Sequence, residues 1–173
     1  MPKVEYTPAP EVAKIAEELI EKYHGHLLDF KVRIEYVFTN KTPKKGGKEV
    51  WAYVRKISAL NAFLAGSEES SDDFFVMVVS EPVWEILPAD KRTPLVDHEL
   101  CHLWAEAQQV DEDDADAIPE NPVKLSLSPH DVEEFSPIVR RWGLWREDVE
   151  DFVNAALKKK VQTNEEEEDE DET

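Results

Sequence analysis

From Glu11 onward, Val12, Ile15, Ala16, Leu19, Ile20 and Tyr23 recur every three or four residues, which predicts an amphipathic helix ending near Gly25. Met1 to Pro10 carries no such period and reads as a loose lead-in. The period then changes. Val32, Ile34, Tyr36 and Phe38 alternate with Arg33 and Glu35, predicting a half-buried strand over 31–38. Lys41-Thr-Pro-Lys-Lys-Gly-Gly-Lys48 has the punctuation of a solvated turn, and Val50 to Ile57 reads as a second strand. Leu60 to Leu64 fits strand or helix, and Ser67 to Asp73 reads as a polar, acidic loop. Phe74-Phe-Val-Met-Val-Val79 is a short unbroken apolar run rich in β-branched residues, the pattern of a strand covered on both faces. Pro82 to Leu87 suits a short helical turn.

Thr93-Pro94 has the form of an N-cap followed by proline at the first helical position, predicting a helix from there to about Ala107. Gln108 to Leu127, with five acids between Asp111 and Asp116 and prolines at 119 and 122, reads as a long loop. Ser128-Pro129 repeats the cap-and-proline signal for a helix through about Trp142, stopped by Gly143. Arg146 to Lys160 is a last amphipathic helix, its basic end suited to a helix C-terminus. Val161 onward offers nothing to pack and is expected to be disordered. The expected architecture is α+β: a small sheet of about three strands packed against flanking helices. The expected layout is a flexible lead-in (1–10), a single domain (11–161) and a disordered acidic tail (162–173).

Composition narrows the function classes. Among 173 residues, 20 Lys+Arg face 39 Asp+Glu, a net charge of −19; eight of those acids sit in Glu165–Glu172, which leaves −11 on the rest. An acidic body makes nucleic acid an improbable partner, since phosphate contacts need a basic face. The single cysteine, Cys101, excludes an internal disulfide and any multi-cysteine zinc site. Neither a secretory signal nor a membrane span is visible, the longest uncharged apolar stretch being Phe74–Ser80 against the roughly 20 residues a span requires. The expectation is a cytoplasmic protein, with its oligomeric state open.

One pentapeptide carries chemistry: His98-Glu99-Leu100-Cys101-His102, an H-E-x-x-H sequence. On a helix, residues i and i+4 share a face about 6 Å apart along the axis, so two imidazoles so placed can hold one Zn²⁺. Glu99 sits about 100° round from His98, positioned to address a metal-bound water rather than the metal. Zinc lowers the pKa of that water towards about 7, and Glu99 takes its proton as general base. A catalytic zinc wants three protein ligands and one open position. His24 and His26 end the first helix and read as surface or capping residues. In Ser128-Pro-His-Asp-Val-Glu-Glu-Phe135, His130, Glu133 and Glu134 would share a helix face, and any of them can supply the third ligand. Cys101 fits a small buried core position more readily than a fourth ligand. Asp97 or Asp131 can orient a ligand imidazole, and Tyr36, Arg140 and Arg141 are candidates to stabilise an oxyanion. Trp142 and Trp145 read as packing residues beside Gly143.

The motif, preceded by Leu95-Val-Asp97 and followed by His130-Asp-Val-Glu-Glu-Phe135, resembles the phage metallopeptidase family and is similar to SprT-like zincins. That resemblance covers roughly residues 32–145 and implies a minimal zincin-like fold. It also implies His98, His102 and His130 as zinc ligands, with Glu99 catalytic. The 27 residues between His102 and His130 form a longer spacing than a SprT protein shows.

The leading functional expectation is therefore a zinc-dependent metallopeptidase that hydrolyses peptide bonds in a peptide or protein substrate. A strand beside the site, Phe74–Ser80 or Val50–Lys56, would hold the substrate extended. An alternative is a non-enzymatic acidic interaction protein, a nucleic-acid mimic or partner-binding module with structural zinc. A third is a small acidic domain without metal.

Overall fold

The computed structural model describes residues 3–64, 73–108, 123–130, 132, 139–140, 143–144 and 147–170, without the side chains of 62 and 160–170. The chain divides into two compact units, residues 1–128 and 129–173. The architecture is α+β, as the hydrophobic pattern predicts.

The first unit is built on a four-stranded mixed sheet. Its strands are β1 (Tyr6–Pro8), β2 (Ile34–Thr39), β5 (Ala52–Ile57) and β6 (Phe74–Ser80), in the order β1-β2-β6-β5. β2 runs parallel to β6, from Ile34 opposite Phe75 to Thr39 opposite Ser80. β1 and β5 are antiparallel to their neighbours. The apolar run is the central strand: Phe75, Met77 and Val79 are fully buried and Val78 nearly so, which is what an unbroken hydrophobic strand is for. Between β2 and β5, β3 (Lys44–Lys45) and β4 (Lys48–Glu49) make the basic hairpin around Gly46 and Gly47, both at positive φ. α3 (Ala59–Leu64) resolves the ambiguous segment as helix.

The lead-in is not loose. Tyr6–Pro8 pairs with Val37–Thr39, and Ala9 is buried at the head of α1 (Pro10–Tyr23), so the ordered unit starts well before residue 11. A three-residue edge strand is too short to show a period, and its pairing is a tertiary choice. α1 lays Val12, Ala16, Leu19 and Ile20 into the core and packs against α5 (Ala89–Cys101), while α2 (Gly25–Asp29) turns the chain towards β2. α4 (Glu81–Ile86) follows β6 directly. Its last carbonyls are met by Arg92, whose Nε donates to Leu87 O and Nη2 to Trp84 O, at 3.2 and 3.0 Å.

The metal-motif helix differs from expectation at both ends. It begins at Ala89, leaving Pro94 inside, and it stops at Cys101 rather than near Ala107. Leu103 to Ala107 forms β7, paired antiparallel with β8 (Val123–Leu127) within the segment expected to be all loop. Leu100, Leu103 and Trp104 satisfy helical spacing, but from Leu103 the alternation of buried Leu103 and Ala105 with exposed Trp104 fits a strand equally, and the pairing with Leu125 decides it. Residues 109–122 lie outside the described residues, as do 65–72, which hold all of the acidic loop but Asp73.

In the second unit, Ser128-Pro129 does not open a helix: the backbone at His130 and Val132 is also non-helical, and helix is present at Val139–Arg140. α6 (Glu147–Glu170) continues through most of the acidic run expected to be disordered. No Gly or Pro interrupts it, and Glu is a good helix former. No helix among the described residues is long and apolar enough to cross a membrane.

Candidate metal centre

Because α5 ends at Cys101, His98-Glu-Leu-Cys-His102 occupies its last turn instead of its first, and His102 is the C-cap. Val96 and Leu100, both fully buried, anchor this turn to the core that α1 and the sheet supply. Anchoring Leu100 inward fixes where its neighbours point. His98 is left exposed and His102 partly exposed, with ring centroids 5.2 Å apart and planes nearly perpendicular at 87°. A ligand atom of each lies within 4.8 Å of the other, a span one cation can bridge.

The end of the helix also orients His102. The β7–β8 ladder, Leu103 opposite Leu127, continues one step outward: Ser128 N–H donates to His102 O at 2.8 Å. The same Ser128 accepts from the imidazole, His102 Nδ1–H to Ser128 O, at 2.7 Å. A carbonyl can only accept, so Nδ1 carries the proton and Nε2 keeps the lone pair that a metal requires. Stopping the helix at residue 101 thus places the backbone carbonyl that sets the tautomer.

Glu99 is the buried member of the motif, only 5% exposed. Burial pushes its carboxyl up to about 7, against a smaller downward pull from His102. The donor set fits a borderline cation such as zinc: two imidazoles, one with its tautomer fixed, and a carboxyl able to exchange a proton near neutrality.

The remaining candidates divide plainly. His130 belongs to the second unit, two residues past Ser128, and is exposed. Glu133, Glu134, Asp131, Arg141, Trp142 and Trp145 lie outside the described residues. Tyr36 is part-buried on β2, where burial and the nearby Glu17 and Glu35 push its phenol up, and Arg140 is exposed.

His24 occupies the C-cap of α1, as expected; its ring is buried, and its Nε2 lies 2.7 Å from Asp97 Oδ1. His26 is likewise engaged: its Nε2 donates to Leu103 O at 3.1 Å and its ring lies against Trp104, centroids 5.0 Å apart. Cys101 is exposed rather than a core residue, because Leu100 and Val96 take the inward face. Spacing carried no signal for the His24–Asp97 pair, whose members are 73 positions apart.

A family model described as "Putative phage metallopeptidase" matches residues 4–157, most of the chain. No curated protein and no solved structure matches it.

Proposed function

Since the chain belongs to the phage metallopeptidase family, we propose that it hydrolyses peptide bonds with one zinc ion held by His98, His102 and His130, and with Glu99 as general base. The observation that carries this reading is the buried Glu99 carboxyl beside the paired His98 and His102 imidazoles. A purely structural metal site has no use for a proton acceptor there.

His130 is assigned on chain connectivity. Ser128 is bonded to His102 through both backbone and ring, and each peptide bond advances the chain by about 3.8 Å. The Cα of His130 therefore lies no more than about 8 Å from that of Ser128. Glu133 and Glu134 lie three and four residues beyond His130 along the same segment.

Bound zinc would act as a Lewis acid, lowering the pKa of a water and polarising the scissile carbonyl. The protein supplies the rest. His102, locked by Ser128, keeps Nε2 turned out as a ligand. Glu99 accepts the proton of the attacking water and returns it to the departing amine. Its burial keeps bulk water from solvating that carboxyl. The substrate is a peptide or protein segment in extended form, and the setting is cytoplasmic.

The test is cleavage of a mixed peptide library, read by mass spectrometry, with metal-stripped and zinc-reconstituted protein. Cleavage should require zinc and be lost in His98→Ala, His102→Ala and His130→Ala. Equal cleavage by the stripped protein contradicts the reading. Full zinc retention in His130→Ala moves the third ligand to Glu133 or Glu134.

A further inference from the structure

The outermost turns of α5 carry two i, i+4 pairs side by side. His98 and His102 form one; Asp97 and Cys101, each one residue earlier, form the other. The second pair meets a partner from a different helix. His24, at the end of α1, is buried with 7% exposure and directs Nε2 to Asp97 Oδ1 at 2.7 Å. An imidazole nitrogen, a carboxylate oxygen and the Cys101 sulfur all lie within 4.8 Å of one another. The packing of α1 on α5 holds His24 in place, so the three donors converge before any ligand arrives.

A nitrogen, an oxygen and a sulfur donor together are the ligand set of a borderline-to-soft divalent ion. We propose that His24, Asp97 and Cys101 form an accessory site for a second such cation, of the zinc or cobalt class, which ties the end of α1 to the metal-bearing turn of α5. On binding, the His24 ring keeps a proton on the nitrogen that faces away from the cation, the Cys101 thiol gives its proton to solvent, and the other ring nitrogen, the Asp97 carboxylate and the thiolate bind the cation. Water completes its coordination. The site is exposed on the Cys101 side, which gives the ion a way in. The proposal does not depend on the peptidase reading, because none of its three ligands is His98, Glu99, His102 or His130.

Cobalt(II) reports it directly, since thiolate ligation gives a near-ultraviolet sulfur-to-metal charge-transfer band that imidazole and carboxylate ligands do not. Full-length protein, purified without a metal-affinity tag and stripped of metal, is titrated with Co²⁺ alone. The wild type should bind two equivalents and develop the band. Cys101→Ser, a small change at an exposed position, should bind one equivalent and show no band. His98→Ala should also bind one equivalent but keep the band. His24→Gln should lose the band with Cys101 intact, its fold checked by circular dichroism; if it is unfolded, Asp97→Asn takes its place. A wild type without the band overturns the proposal. So does a band that disappears in His98→Ala, which would make Cys101 part of one shared site. One equivalent in the wild type with a band that His98→Ala leaves untouched upholds the accessory site and instead refutes metal at the H-E-x-x-H turn.

Discussion

Glu99→Gln separates the chemistry of this site from its stability. In the metal-free protein the carboxyl is nearly fully buried and its pKa stands at about 7 against an ordinary 4.5. Holding it ionised in the fold therefore costs about 3 kcal/mol, at roughly 1.4 kcal/mol per factor of ten. The sign follows from proton counting. Between about pH 4.5 and 7 the folded state keeps a proton that the unfolded state has lost, so stability falls as pH rises through this window and levels off above it. Glutamine has nearly the same shape and no charge. Stripped Glu99→Gln should thus match the wild type near pH 4.5 and exceed it at pH 8 by up to about 3 kcal/mol, roughly 10 °C in Tm. The same substitution removes the proposed general base, and cleavage should fall by at least the ~10²-fold that such a group contributes. Added zinc should narrow the stability gap, because a nearby cation favours the carboxylate. Urea denaturation at the two pH values, with and without zinc, measures the stability differences, and the peptide-library assay measures cleavage. Parallel pH profiles for the two stripped proteins would refute the argument from burial, and undiminished cleavage would refute the base assignment.

Other consequences follow from the same geometry. Leu100→Ala removes a fully buried side chain from the helix turn that sets the site and should cost about 2–5 kcal/mol in chemical denaturation. Ser128→Pro deletes the N–H that bonds His102 O. It should weaken zinc affinity in a competition titration, whereas Ser128→Ala, which keeps the backbone, should not. Asp73 has its pKa lowered chiefly by the hydrogen bond from Lys56, with further help from the Ala59 N–H. The stability it contributes is present above its ordinary 3.8 and lost as pH falls through its lowered folded value. Asp73→Asn should therefore lower Tm at pH 7 and make progressively less difference under acid.

The pattern of the chain made the central strand and the first helix legible because each is a long period that burial alone enforces: Phe75, Met77 and Val79 along one, Val12, Ala16 and Leu19 along the other. The H-E-x-x-H turn was legible for a different reason, since its chemistry is local to five residues. What stayed hidden depends on partners far away in sequence. Tyr6–Pro8 is a strand only because Val37–Thr39 is beside it. Leu103–Ala107 leaves the helix only because Val123–Leu127 pairs with it, and that change of structure moves the motif from the start of a helix to its end. The carbonyl that fixes the His102 tautomer and the Asp97 carboxylate that meets His24 have the same origin. Pro94 misled in a simpler way. Six residues into α5, it costs one backbone hydrogen bond that the packed helix tolerates.

The central claim is that the last turn of α5 holds a catalytic metal. It is tested most directly by elemental mass spectrometry of zinc-reconstituted protein in a Cys101→Ser background, where the accessory ligands are broken and one site remains to be counted. About one zinc per chain, falling to none when His98 and His102 are both changed to Ala, is the predicted result. No zinc in the Cys101→Ser protein, or a zinc that survives loss of both histidines, would contradict it.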